Sequence, residues 1–182
     1  MEKILITGTG RCGTTFLIKL FSFLDFDTGY DKNNYNSFIY ENCNSGMEKI
    51  YNDKNYILKN PNFIKNIGYI LQDKTIKIKQ VIIPIRDLNL SAKSRVKHNN
   101  NSGGLWHASD VNSQIRFYEY ILSNYLYFMT KYDIPTIFID FDRMINDKKY
   151  LYDKIKLILD EKSINFDLFS NVYDEVSLTC KS

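Results

Sequence analysis

Lys3-Ile4-Leu5-Ile6-Thr7-Gly8-Thr9-Gly10-Arg11-Cys12-Gly13-Thr14-Thr15 decides the reading of this chain. Residues 3–7 form a short apolar run with the character of a buried strand. Three glycines then turn the chain straight into a helix over 14–24, where Phe16, Leu17, Leu20, Phe21 and Leu24 recur at helical spacing. Glycines let successive N–H groups converge on one point, and a helix N-terminus adds a positive dipole. A strand, a glycine turn and a helix start in that order make an anion cradle. Gly8, Thr9, Gly10, Arg11, Cys12, Gly13, Thr14 and Thr15 are its candidate residues, with Arg11 and the two threonine hydroxyls completing it.

Outward from this loop, strands and helices alternate. A second strand is expected near 26–30, a third over 56–59, a fourth over 80–85 and a fifth over 135–140. Helices are expected over 87–97, over 110–132 (capped by Ser109 or Asp110) and over roughly 146–160. Asn60-Pro61 opens a helix after the third strand. Pro84 suggests that the fourth strand lies at an edge or is in its final turn. Asn33-Asn34 and Asn99-Asn100-Asn101 read as loops. The alternation predicts an α/β three-layer sandwich with a mostly parallel sheet of about five strands, P-loop-NTPase-like, in a single domain over 1–182. In such sheets ligands bind at the carboxyl ends of the strands.

The composition agrees. The chain has 182 residues, 44% hydrophobic and 25% charged, which excludes global disorder. The 14 Tyr and 12 Phe predict an aromatic core. A net charge of +3 suits an anionic ligand and falls short of a nucleic-acid footprint. No apolar stretch is long enough to span a membrane. The chain opens on a strand, which predicts no leader peptide and a cytoplasmic setting. Cys12, Cys43 and Cys180 are too scattered for a disulfide framework and read as free thiols.

Three loop patterns overlap here. G-x-G-x-x-G is the dinucleotide fingerprint, and Asp27, 19 positions past Gly8, stands near the place of a ribose-binding acid. Leu17, however, occupies a place where close helix–strand packing wants a small residue. G-x-x-x-x-G followed by two threonines is a Walker A loop in which Thr14 replaces the lysine, so the main cation for a β/γ-phosphate is missing.

The third pattern matches best. Arg11-Cys12-Gly13-Thr14-Thr15 resembles the 5′-phosphosulfate loop of the sulfotransferase family, a basic residue and a small one followed by Gly-Thr-Thr. The resemblance extends to Arg86-Asp87 with Ser94-Arg95. The family's 3′-phosphate site pairs an arginine at a strand end with a serine eight positions later, as Arg86 and Ser94 are here. Lys59-Asn60-Pro61 resembles the strand-end K-x-P of several branches, and the stretch from Phe138 to Met144 resembles a late acidic strand. The likeness covers about residues 3–160 and is closest to small bacterial and phage-type members.

It implies an enzyme that moves the sulfuryl group of 3′-phosphoadenosine 5′-phosphosulfate (PAPS) to a hydroxyl or amine of a glycan or other small acceptor. PAP is the product, and no metal is required. Arg11 and Lys59 would stabilise the leaving group. The proton acceptor is Asp31, Glu41 or His107, in that order. The chain departs from the family in lacking a C-terminal G-x-x-G-x-x-K loop. Gly103-Gly104, followed by Trp106-His107, is a candidate lid. An ATP-using kinase-like enzyme and a non-catalytic nucleotide-binding domain of the same fold are the alternatives. The sequence carries no signal for oligomeric state.

Overall fold

A computed structural model of the chain describes residues 1–40, 45–98 and 104–179. Strands β1 (Glu2–Ile6), β4 (Ile57–Lys59), β5 (Lys77–Ile85) and β6 (Thr136–Asp140) form a parallel sheet in the order β4-β1-β5-β6. Strands β2 (Ile39–Tyr40) and β3 (Ser45–Gly46) form a separate antiparallel pair. Seven α-helices are present among the described residues: α1 (Thr14–Phe23), α2 (Phe63–Ile70), α3 (Leu88–Lys97), α4 (Val111–Lys131), α5 (Phe141–Asn146), α6 (Lys148–Leu159) and α7 (Phe166–Leu178).

The two-residue period of β1 divides the core. Ile4 and Ile6 face one way, with Ile57, Ile82 and Ile139, against α1, α6 and α7. Leu5 faces the other way, with Leu58, Val81 and Ile83, against α2, α3 and α4. Strands covered on both faces read as continuous apolar runs, as Ile4-Leu5-Ile6 and Val81-Ile82-Ile83 do. The aromatic excess is used largely on the first face, where Phe16, Tyr173, Phe169 and Tyr152 meet in a chain of ring contacts, edge-on at its two ends and tilted between Phe169 and Tyr173.

Several expectations need correction. The main sheet has four strands rather than five, because residues 26–30 form bends and no strand. They are shaped instead by polar clamps. Ser22 and Thr28 hydroxyls meet at 2.7 Å, and the Asp27 carboxylate takes Asn55 Nδ2 and the Tyr56 N–H. Asp27 is therefore a structural brace onto β4. The helix expected over roughly 146–160 is α6, which starts at Lys148 where Asp147 caps it by accepting the Tyr150 N–H at 2.9 Å, and the short α5 ahead of it is an addition. Helix α7 and the β2–β3 pair were not anticipated. Asp110, not Ser109, caps α4, in a capping box with Ser113.

Pro84 lies in an interior strand, and its position near the strand end explains why. In a parallel strand alternate residues bond to opposite neighbours. Thr7 N–H reaches Ile82 O, while Val81 N–H reaches Pro135 O on the other side. The nitrogen of Pro84 thus faces the β1 side, where pairing has already ended at Ile6↔Ile82. No ladder bond is lost.

Cys12 is a free, buried thiol, and burial pushes its pKa up. Cys43, Cys180, Gly103 and Asn99 to Asn101 lie outside the described residues, as does Glu41. Among the described residues no helix is long and apolar enough to cross a membrane.

Lys3 is buried at the start of β1, and its ammonium donates to Asp53 O at 2.6 Å and Asn55 O at 2.5 Å. These bonds pin the loop before β4 to the strand beside it. Lys3→Met strands two buried carbonyls and is expected to cost about 1–3 kcal/mol. In thermal melts, exposed Lys77→Met, which loses only a surface pair with Glu2, should stay within about 0.5 kcal/mol of the parent.

Candidate functional site

The connections from β1 and β5 diverge. Strand β1 leads through α1 on one face to β4, and β5 leads through α3 and α4 on the other face to β6. The crevice between the carboxyl ends of β1 and β5 is the switch point where such sheets bind ligands. The glycine loop follows β1 and Arg86 follows β5, so both candidate anion motifs meet there.

The contact is direct. Arg86 Nη1 donates to Arg11 O at 3.1 Å. Arg11 Nε donates to Ser94 Oγ at 3.1 Å, and Arg11 Nη2 lies 3.3 Å from His98 Nε2. Arginine only donates, so His98 accepts there as the neutral tautomer protonated on Nδ1. Arg86 packs its guanidinium 4.7 Å from the Phe141 ring centroid, and its Nε is buried without a partner. Asp87 is not part of this network. It caps α3 by accepting the Leu90 N–H at 2.8 Å.

The loop is held by the arginine that follows Ser94. Arg95 is 9% exposed. It donates to Thr9 O at 3.2 Å, Gly104 O at 2.6 Å and Tyr118 Oη at 2.7 Å. It also lies 5.0 Å from the Trp106 ring centroid. A Cβ on Gly10 would stand 2.1 Å from Arg95 Nη2, and Gly10 has φ +74°. Gly13, at φ +87°, leads into α1. The first bond of that helix runs from Leu17 N–H to Gly13 O, leaving the N–H groups of Thr14, Thr15 and Phe16 ahead of the ladder.

These groups line a cavity of about 360 Å³. Arg11, Lys19, Lys59, Arg86 and Arg95 bring five cations to its wall, and Glu48 is the one carboxylate among the described lining residues. Thr14, Thr15, Gly10 and Gly13 form the loop side, and Phe16, Phe141 and Ile145 an apolar side, next to Asn146 and Ser177. Lys19, one turn past Thr15, is a buried lysine that the sequence reading treated only as part of a helix. Lys59 is 1% exposed. Its ammonium donates to Gly46 O at 2.8 Å and to Glu48 Oε1 at 2.5 Å. Its place is set by the pairing of β4 with β1, where it stands opposite Ile6, and Thr7 ties down the turn that follows by donating to Pro61 O and accepting the Ile64 N–H.

A second cavity of about 280 Å³ shares Glu48, Pro61 and Arg95 with the first and adds Tyr40, Asn60, Asn62 and Trp106. Glu48 was missed from the sequence. It lies eleven positions before Lys59 in a segment with no periodicity or glycine pattern to mark it.

Of the sequence candidates, Gly10, Arg11, Gly13, Thr14, Thr15, Lys59 and Arg86 line the first cavity. Ser94 touches it through Arg11. Thr9 and Cys12 are buried beneath the loop, and a Cβ on Gly8 would meet Cys12 Sγ at 2.8 Å. Asp31 and His107 line neither cavity. Asp31 is spent on its own turn, accepting from Asn33 N–H, Asn34 N–H and Asn34 Nδ2. His107 Nε2 lies 3.3 Å from Lys65 Nζ, against the Phe117 ring. Among the described residues no group of three or more His, Cys, Asp or Glu is placed to hold a metal.

Comparison with family models, with curated proteins and with solved structures finds no match to this chain.

Two predictions test the loop. Gly10→Ala forces a left-handed φ on alanine and displaces Arg95, and should cost at least about 2 kcal/mol in urea unfolding. Burial, and then the charges of Arg11 and Lys97, push the His98 pKa below the usual histidine value. Protonation therefore favours the unfolded chain. The contribution is complete above the unfolded pKa of about 6.5 and is lost as pH falls through the lower folded value. His98→Asn should flatten the stability–pH curve in that window relative to wild type.

Proposed function

We propose that the chain is a PAPS-dependent sulfotransferase of P-loop-like fold, acting on the hydroxyl of a small acceptor. The observation that carries this reading is the meeting of Arg86, Arg11 and Ser94 at the mouth of the glycine loop. A donor with a phosphosulfate at one end and a 3′-phosphate at the other needs two anion sites joined by one cavity. The loop supplies Gly10, Gly13 and the N–H groups of Thr14 and Thr15 for the 5′ end. Arg86, with its orphaned Nε, and Ser94 supply the 3′ end. Phe16, Phe141 and Ile145 give the apolar surface that a heteroaromatic base requires.

In-line sulfuryl transfer asks the protein to position two partners and to neutralise charge on the departing phosphate. Arg11 and Lys59 are the cations for the second task. Among the described lining residues, five cations around one carboxylate set a positive potential in a cavity with an apolar side, which strengthens their hold on an anion. Thr14 stands where an ATP-binding loop has lysine, which favours the 3′-phosphorylated donor over ATP.

The test is thermal stabilisation. PAP at about 100 times its Kd should add about 2.7 kcal/mol to the fold. ADP, ATP with Mg²⁺ and NADH should add far less at equal concentration. Arg86→Ala should abolish the preference for PAP over ADP. A larger shift with ATP or NADH would overturn the reading.

A further inference from the structure

The second cavity and Glu48 are the features that the donor site leaves unused. We infer that this cavity is the acceptor cleft, that Glu48 takes the acceptor proton, and that the acceptor is an uncharged sugar hydroxyl. This rests on the donor reading above.

The two cavities meet at Glu48, Pro61 and Arg95, so a group held in the second abuts the donor cavity where Lys59 lies. Glu48 stands at that boundary. Its Oε1 is engaged by the buried Lys59, and its Oε2 takes no hydrogen bond among the described residues. The carboxylate is placed firmly, because its flanks are tied to the same strand end. Gly46 O accepts from Lys59 Nζ, and Lys49 N–H donates to Lys59 O at 2.9 Å. Asn60 Nδ2 also donates to Lys49 O at 3.0 Å. No other carboxylate and no histidine lines either cavity among the described residues. Half-exposed at 34% of its side chain, Glu48 can pass a proton on to water.

The walls name the acceptor class. Among the described residues Arg95 is the only cation lining the second cavity, and its three partners already hold it, so it is not poised to bind a carboxylate or sulfate. Glu48 would repel one. Tyr40 and Trp106 supply aromatic surface, while Asn60 and Asn62 supply amides. Aromatic walls with amide partners suit a neutral, polyhydroxylated ring. At about 280 Å³ the cleft falls just under the range of about 300–1,000 Å³ for drug-sized ligands, room for one ring and its substituents.

The step balances. The acceptor O–H gives its proton to Glu48 Oε2, and the acceptor oxygen forms the new O–S bond. The S–O bond to the 5′-phosphate breaks, and its electron pair leaves on the phosphate oxygen, which Lys59 and Arg11 stabilise. Glu48 then returns its proton to solvent.

The experiment scores wild type, Glu48→Gln and Asn62→Trp against PAPS and an array of neutral sugars and their uronic-acid counterparts. Products are read by mass spectrometry, and PAP-induced thermal shifts are measured in parallel. All three proteins should keep the PAP shift. Wild type should sulfate neutral sugars in preference to uronates. Glu48→Gln should lower kcat by about 10²–10⁴-fold with KM for PAPS unchanged. Asn62→Trp should raise the acceptor KM at least tenfold while leaving KM for PAPS alone. With the PAP shift intact, wild-type turnover in Glu48→Gln, preferred uronates, or no transfer to any sugar overturns this proposal and leaves the donor reading standing. Loss of PAP binding by wild type overturns both.

Discussion

The guanidinium of Arg95 occupies the space that a side chain on residue 10 would need. From there it binds the carbonyl of Thr9 in the glycine loop, the carbonyl of Gly104 beyond α3, and the hydroxyl of Tyr118 on α4. One buried cation thus fastens the loop after β1 to the layer built after β5. An arginine this deep is tolerable only with its hydrogen bonds made, since an unpaired buried charge costs several kcal/mol. The partners are carbonyls and a phenol rather than carboxylates, so the positive charge is satisfied geometrically without being cancelled. Burial and the neighbouring charge leave their mark on Tyr118, whose pKa is raised to about 12, with burial outweighing the opposing pull of Arg95.

The same economy of negative charge runs through the site. Arg11 is held by a serine hydroxyl and a neutral imidazole, and Arg86 by a backbone carbonyl and an aromatic face. Among the described lining residues Glu48 is the one carboxylate, and it pairs with Lys59. The described lining thus carries more cations than acids and is electrically attractive to an anion. Glu48 sits at the rim, where it pairs with one lysine and borders the second cleft.

The parts of this arrangement legible in the sequence are those with local signatures. The strand–glycine–helix order of residues 3–24 and the Arg86–Ser94 spacing each lie within a short window. The alternating faces of Ile4, Leu5 and Ile6 follow from period alone. The parts that escaped depend on distant partners. The strand expected near 26–30 does not form, because side-chain clamps from Ser22 and Asn55 bend these residues. Lys3 opens the strand in the sequence, and its buried ammonium is held by two carbonyls some fifty residues away. Asp31 looked like a free carboxylate in a loop, yet its own turn consumes both oxygens. A polar side chain's role is set by what folds against it, and periodicity carries no information on that.

The position of the site follows from the sheet more than from any single residue. With the order β4-β1-β5-β6, the chain leaves β1 toward one edge and β5 toward the other, on opposite faces. No helix can cross over the gap between their carboxyl ends, so a crevice must open there. The turn after β1, the turn after β5 and the strand end of β4 border it, with α5 and α7 adding to its wall. The first carries Arg11, the second Arg86 and the third Lys59. Their convergence needs no further device to assemble it. Arg95 and Gly10 then fix the last ångström, bringing loop and helix close enough that Arg11 reaches Ser94 and Arg86 reaches Arg11.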